Sequence, residues 1–425
     1  QGRKNVTSNH PSESVPSTEH AQRASRAADS ILSRYTRRVF GVPGTLLGAV
    51  QMPESRGLGA RFAEWHYWWQ AHLLDCIIDA GERAVREGDT EQAQNMLATA
   101  RSVVRGIHTR NLGFANDFYD DMAWLALAVG RLNRLSKTIT GASDVTAQDA
   151  GSVLFERLNT GLHSCGGMSW SKGKRDFCNT PATAPAALAF ARIGQIKTAQ
   201  NLMSWLNDVL WDGDRMLYFD GANLRPQDVM VDDITGRRDV PLDVERNIYT
   251  YNQGTTLAVL LALAESSEIS DDRREEYLLR AERLIVGIVK NLSEDFEFSD
   301  GSHHLVLHSG SDGDGALFTG ILVRYLAQAA MSTMLSPEAR SLASALVYGS
   351  ARAVWEGRRE FDPTLPLNEP GIDPNEIRDR AIAIFSPKFT VSARDALAAG
   401  KPVELSGQLQ AWMTLEAAAR LSAED

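Results

Sequence analysis

The chain has 425 residues, 43% hydrophobic and 23% charged, an ordinary balance for a folded protein with one large core or two to three smaller domains. Its formal net charge of -10 argues against nucleic acid or an anionic membrane surface as a partner, because both need basic patches, and suits a neutral ligand such as a sugar. No run approaches the roughly 20 apolar residues that span a bilayer. The three cysteines, Cys76, Cys165 and Cys178, form neither a disulfide framework nor a zinc spacing; Cys165 and Cys178 could pair across a loop but are expected as free thiols.

Residues 1–17 are polar, lack hydrophobic periodicity and read as a mobile leader ahead of one domain over residues 18–425. The leader lacks the apolar core of a signal peptide, which points to the cytoplasm unless a leader has been removed. From about Ala21 to Phe40 the apolar positions recur at three and four, one face of a helix, until Gly41-Val42-Pro43-Gly44 breaks it. A second helix over about residues 62–86 opens on Glu64-Trp65-His66-Tyr67-Trp68-Trp69-Gln70-Ala71-His72. So many aromatics cover every face of a helix, and some must face something other than ordinary core. A third helix spans about Thr90 to Val104.

The fourth helix opens on Asn116-Asp117-Phe118-Tyr119-Asp120-Asp121-Met122-Ala123-Trp124 and runs to about Leu135. Two adjacent carboxylates in a site walled by Tyr119 and Trp124 repel each other, and desolvation should raise one pKa while the other stays low. Glycoside hydrolysis needs that division of one ionised and one protonated carboxyl group. Acidic residues also favour the positive end of a helix dipole, and that ordinary role is the competing reading.

An amphipathic helix follows over about Thr146 to Leu162, then the loop Ser164-Cys165-Gly166-Gly167-Met168-Ser169-Trp170-Ser171-Lys172. Asn179-Thr180-Pro181 starts an Ala-rich helix to Arg192 by cap and proline, and another helix covers about Gln195 to Leu210. Residues 212–245 read as loop, with a short hairpin at Tyr218-Phe219 and a second acidic pair, Asp232-Asp233, on a solvated surface. Tyr249-Thr250-Tyr251-Asn252-Gln253-Gly254 opens a nearly all-apolar helix at Thr255, and a charged helix follows over Asp271 to Leu292. The Gly- and Asp-rich stretch Ser309 to Gly315 opens the apolar helix Ala316 to Met331, with Pro337 to Trp355 as its partner. After a Pro-containing excursion to about residue 400, Glu404-Leu405-Ser406-Gly407-Gln408 opens the last helix, Leu409 to Leu421.

These are about twelve helices of alternating character, charged on one side or apolar all round, and a helix apolar all round must be buried. The expected fold is all-α, an (α/α)6 toroid of six helical hairpins with the apolar set as the inner ring. An open helical solenoid gives the same alternation. In the toroid all inner helices point one way, so their starting clusters converge on a single pocket.

With these clusters the chain resembles glycoside hydrolase family 76, the endo-α-1,6-mannanases. The resemblance rests on Tyr119-Asp120-Asp121 with Ala123-Trp124, on residues 66–72, on Gly166-Gly167 with Trp170 and Lys172, on Tyr249 to Gly254 and on Phe318 to Leu326. It covers about residues 62–330, with a further match at Gln408 to Leu415. It implies an (α/α)6 barrel that cleaves α-1,6-linked mannan with retention, with Asp120 as nucleophile and Asp121 as general acid/base. Family sequences carry a further aromatic where Ser169 and Leu125 stand here.

Trp68, Trp69, Trp170 and Tyr251 are candidates for stacking on sugar rings, with core packing as the alternative, and Tyr119 and Trp124 are expected as further substrate-binding residues beside the pair. His72, Lys172, Asn179, Asn252 and Gln253 are candidates for sugar hydroxyls or for orienting a carboxylate. Asp312 and Asp314 lack the later glutamate of an EF-hand and are expected at a helix start beside a sugar hydroxyl. The expected protein is a monomeric retaining endo-α-mannosidase acting on a mannan-type polysaccharide or glycolipid, with neither metal nor cofactor. Its rivals are another (α/α)6 glycosidase or transglycosylase using the same pair, and a catalytically silent glycan-binding protein.

Overall fold

The computed structural model describes residues 15–57, 59–225, 228, 230–231, 234–235, 238–239, 241–310, 312–361, 382–398 and 400–424. The Asp232-Asp233 pair, most of the 1–17 leader and residues 362–381 of the excursion before residue 400 lie outside these residues.

Thirteen α-helices order the described chain: α1 (Ser17–Tyr35), α2 (Tyr67–Glu87), α3 (Thr90–Asn111), α4 (Tyr119–Thr140), α5 (Val145–Gly161), α6 (Thr180–Arg192) and α7 (Ile196–Trp205). They continue with α8 (Thr250–Glu265), α9 (Asp271–Leu292), α10 (Gly315–Met331), α11 (Pro337–Glu356), the single turn α12 (Ala393–Ala396) and α13 (Leu405–Ser422). Helices α2, α4, α6, α8, α10 and α13 pack each on the next, and α13 packs back on α2, so the inner ring closes. A solenoid would leave those two ends apart. Helices α1, α3, α5, α7, α9 and α11 lie outside, giving the (α/α)6 toroid.

Packing decides which helices go inside. Helices α8 and α13 are buried on nearly every face, whereas α9 buries one stripe and turns its charges to water. Inner helices approach closely where glycine removes a side chain: a Cβ on Gly254 would meet Leu322 Cα at 2.8 Å, and one on Gly320 would meet Gln410 Cα at 2.9 Å. Caps set several boundaries. Asp89, Asp144, Asn179, Ser270 and Ser336 each accept a backbone N–H in the first turn of the following helix.

The differences from expectation lie at element edges. Helix α2 begins at Tyr67 rather than near Phe62, because His66 stands at φ 51° and breaks the helix there. Helix α8 begins five residues before Thr255, at Thr250. The segment read as loop holds strand pairing: Trp211–Asp212 pairs antiparallel with Leu217–Tyr218, and Gly221–Leu224 lies between Phe177–Asn179 and Leu242–Glu245 in a three-stranded sheet. Among the described residues no helix is long and apolar enough to cross a membrane.

Candidate active site

The N-terminal ends of the inner helices gather one polar and aromatic cluster. At the start of α4, Asp120 Oδ1 accepts the backbone N–H of Asp121 at 2.9 Å and Oδ2 accepts the indole Nε1–H of Trp170 at 3.1 Å. Asp121 Oδ2 accepts the Asn116 amide at 2.7 Å. The loop carrying Trp170 is pinned in place: Tyr119 N–H donates to the Trp170 carbonyl at 2.9 Å, and Trp170 N–H donates to the Phe177 carbonyl at 2.8 Å.

Burial pushes the Asp120 carboxyl up to about 7, with the charge of Asp220 adding to the rise and the two hydrogen bonds opposing it. Burial pushes Asp121 well above the usual carboxylate range, and the neighbouring Asp120 charge pushes it further. Asp120, with two donors, is therefore the carboxyl group that ionises more readily. The pair titrates as one unit, and its first proton leaves from the Asp120 side.

Aromatic rings wall the space around the pair. Tyr251 stacks on Phe318 at 4.0 Å and 11°, and lies 6.2 Å from Trp124 and 6.4 Å from Trp68. His72 sits 4.8 Å from Trp124 and 5.5 Å from Trp68. Both His72 ring nitrogens are buried without a hydrogen-bond partner, and so is the Asn252 carbonyl oxygen. Burial lowers His72 to about 3, Arg324 lowering it further against the pull of Asp75, so the ring is neutral at physiological pH. Unpartnered buried polar atoms beside aromatic rings are what a sugar hydroxyl would satisfy.

Several residues expected at the site are occupied elsewhere. Tyr119 is buried, and its hydroxyl meets Thr160 Oγ1 at 3.2 Å and Arg175 Nη1 at 3.3 Å, so it packs against α5 instead of walling the acidic pair. Gln253 spends its amide on backbone: Oε1 accepts Tyr218 N–H at 2.8 Å, while Nε2 donates to the Tyr218 and Tyr249 carbonyls. Gln70 holds Gly48 and Gln408 holds Phe385 in the same two-point way, so these glutamines clamp loops to the starts of α2, α8 and α13. Asn179 caps α6 by accepting Ala182 N–H at 3.1 Å. Lys172 pairs at the surface with Asp117 at 3.3 Å rather than with either carboxyl of the pair.

Trp69 is buried against His66, at 3.9 Å and 10°, and belongs to the core rather than a sugar platform. Asp314 makes no side-chain cap; its Oδ1 takes the indole N–H of Trp68 at 2.9 Å and of Trp69 at 2.8 Å, fixing both rings. Asp312 is exposed, and its carbonyl accepts Ala316 N–H. Three contributors were not among the expected site residues, although Asn116 and Phe318 stand in the stretches that pointed to the site. Asp220 receives the Asn252 amide at 3.1 Å and is itself raised by burial, Phe318 stacks on Tyr251, and Asn116 holds Asp121. Among the described residues one group has metal-ligand character, His163 and Cys165 on the loop leading to Trp170 and Cys178 in the strand Phe177–Asn179, whose donor atoms lie within 4.8 Å of one another.

The family model described as glycosyl hydrolase family 76 matches residues 19–364. Several solved structures share the fold. An α-1,6-mannanase of Salegentibacter sp. HEL1_6, in a variant inactivated by asparagine at two consecutive aspartates and bound to α-1,6-mannotriose, is 24% identical with TM-score 0.68 over 95% of this chain and 99% of that one. The Lin0763 protein of Listeria innocua is 22% identical, with TM-score 0.67 over 96% and 98%. A family 76 mannosidase of Bacteroides thetaiotaomicron is 17% identical, with TM-score 0.67 over 95% and 98%. No curated protein matches the chain significantly.

Proposed function

The chain belongs to glycosyl hydrolase family 76, and from that membership we propose that it is an endo-acting α-1,6-mannanase working with retention of configuration. In this reading Asp120 attacks the anomeric carbon as the glycosidic bond breaks, and Asp121 gives its proton to the departing oxygen. Asp121 then takes a proton from water, which cleaves the glycosyl ester and frees Asp120.

The observation that carries the reading is the unequal hydrogen bonding of the pair. Asp120 accepts two N–H donors, Asp121 N–H and Trp170 Nε1–H, which stabilise an anion, whereas Asp121 accepts only the Asn116 amide. The Salegentibacter structure supports the substrate class, since that α-1,6-mannanase is inactive without its two consecutive aspartates and is seen with α-1,6-mannotriose. Trp68 and Tyr251, both half-buried, offer ring faces to pyranoses with the buried Trp124 packed beside Tyr251, and His72, Asn252 and Asp220 offer polar atoms to their hydroxyls.

The test is hydrolysis of linear α-1,6-mannan by the wild type, Asp120→Asn and Asp121→Asn, following reducing ends and the anomeric protons by NMR. Oligosaccharides of retained configuration from the wild type, with activity at least about 100-fold lower in each variant, are the expected result. Inverted product would remove Asp120 as nucleophile. A wild type that binds the polymer without turnover would replace the hydrolase by a glycan-binding protein.

A further inference from the structure

The far end of the ring holds a cavity of about 240 Å3. Arg86, Arg131, Arg134, Arg192, Arg324 and Arg420 line it, from the C-terminal halves of α2, α4, α6, α10 and α13. Arg134 lies roughly 20 Å along α4 from Asp121, so this cavity is separate from the acidic pair.

Charge does not balance here. Asp79, Glu82 and Glu416 are the acidic residues of the lining, and each already holds a guanidinium. Asp79 takes Arg131 at 2.5 Å and Arg324 at 2.9 Å, Glu82 takes Arg131 at 3.2 Å, and Glu416 takes Arg83 at 3.0 and 3.1 Å. The guanidinium groups of Arg86, Arg134 and Arg192 make no hydrogen bond or ion pair with any described residue. The Nε atoms of Arg324 and Arg420 are buried without an acceptor. Arg131 and Arg324 are paired with Asp75 and Asp79 and Arg420 with Glu424 at 3.5 Å, which leaves the cations of Arg86, Arg134 and Arg192 unmatched in a chain whose net charge is -10.

Helix C-termini attract cations, which accounts for arginine at this end. It does not account for three guanidiniums left unpaired around one cavity, where they repel one another. Burial holds Arg86, Arg134 and Arg192 below the usual guanidinium range, and Arg420 beside Arg86, Arg192 beside Arg134 and Arg131 beside Arg192 add to the effect. Guanidinium keeps its proton regardless, so only an anion relieves the repulsion.

We propose that this cavity binds a small multivalent oxyanion of the phosphate type, held by the free forks of Arg86, Arg134 and Arg192. The forked geometry of guanidinium matches paired phosphate oxygens. The cavity is smaller than the roughly 300–1,000 Å3 of drug-sized ligand sites, which favours an ion or a phosphoryl group over an oligosaccharide. Glycoside hydrolysis has no use for such a group, so the site is an addition to the proposed reaction.

Calorimetric titration and melting with inorganic phosphate, against sodium chloride of equal ionic strength, test it, with mannose 6-phosphate as a second probe. The wild type should give one saturable site and a Tm that rises with ligand. Arg192→Gln and the more exposed Arg134→Gln should each weaken binding about tenfold or more while leaving mannan hydrolysis unchanged. Tighter binding of inorganic phosphate supports a free ion as occupant, and tighter binding of the sugar phosphate supports a phosphoryl group. The proposal falls if the folded wild type gives no saturable binding of either probe, or if Arg134→Gln and Arg192→Gln bind as tightly as the wild type.

Discussion

Trp170 commits its one polar atom to Asp120, the indole Nε1–H reaching Oδ2 at 3.1 Å. The tryptophan arrives on a loop outside the inner ring, yet it sets the charge state of a carboxyl group on α4. Trp170→Phe keeps an aromatic ring, smaller than the indole, and removes the donor. Because that donor favours the ionised form, its loss raises the Asp120 pKa, and the acid limb of kcat/KM against pH moves to higher pH. A hydrogen bond to a charged group contributes about 1.5–3 kcal/mol, so kcat/KM near neutrality should fall on the order of tenfold to a hundredfold. An unmoved acid limb would show that this contact does not tune the pair.

Asp220 acts in the opposite sense. Its charge helps to raise Asp120, so Asp220→Asn should move the acid limb to lower pH. With Asp120 near 7, the wild-type kcat/KM rises as pH climbs through about 7 and falls again where Asp121 gives up its proton. Opposite displacements in Trp170→Phe and Asp220→Asn would tie the limb to Asp120. Displacements of the same sign would assign it to another group.

Stability should carry the mirror image of this tuning. Asp121 titrates near 3.9 when unfolded and well above that when folded, because burial and Asp120 disfavour its charge. A group with a raised folded pKa stabilises the fold fully below the unfolded value, and loses that contribution as pH rises through the folded one. Asparagine is neutral at every pH. Asp121→Asn should therefore melt above the wild type at neutral and alkaline pH by a margin that closes toward pH 4, read from paired melting curves. A constant margin would mean that the carboxyl group is not penalised by burial.

The architecture was legible because α8, α10 and α13 are apolar all round, and a helix of that kind has to sit inside others. The acidic pair was legible because its members adjoin in sequence. Which way a side chain points was harder to read. Adjacent residues on a helix diverge by about 100°, so Tyr119 turns toward α5 while Asp120 meets Trp170. Gln253 looked like a sugar ligand from its neighbours, but the Tyr218 backbone that it clamps comes from a hairpin far away in sequence. Asp220 follows that hairpin at the edge of a short sheet, where no helical period singles out a carboxylate as facing the pocket.

Closure of the ring rests in part on one buried pair. Arg83 on α2 meets Glu416 on α13 through Nε at 3.0 Å and Nη2 at 3.1 Å, and Trp412 donates to the same carboxylate at 3.0 Å. The Glu416 side chain is 2% exposed and that of Arg83 6%, so neither charge can turn to water if the other is lost. Glu416→Ala strands a buried guanidinium that keeps only the longer ion pair with Glu87 at 3.7 Å and the charge of Asp29, and should cost about 3–5 kcal/mol in denaturant unfolding. Replacing both residues together, Arg83→Met with Glu416→Leu, removes the stranded charge and should recover much of that loss, since a buried pair is often no better than well-packed apolar side chains. The comparison separates two roles for the pair. If the double variant matches the wild type, the ring closes by packing alone. If the double variant is as unstable as Glu416→Ala, the α2–α13 contact depends on the pair itself.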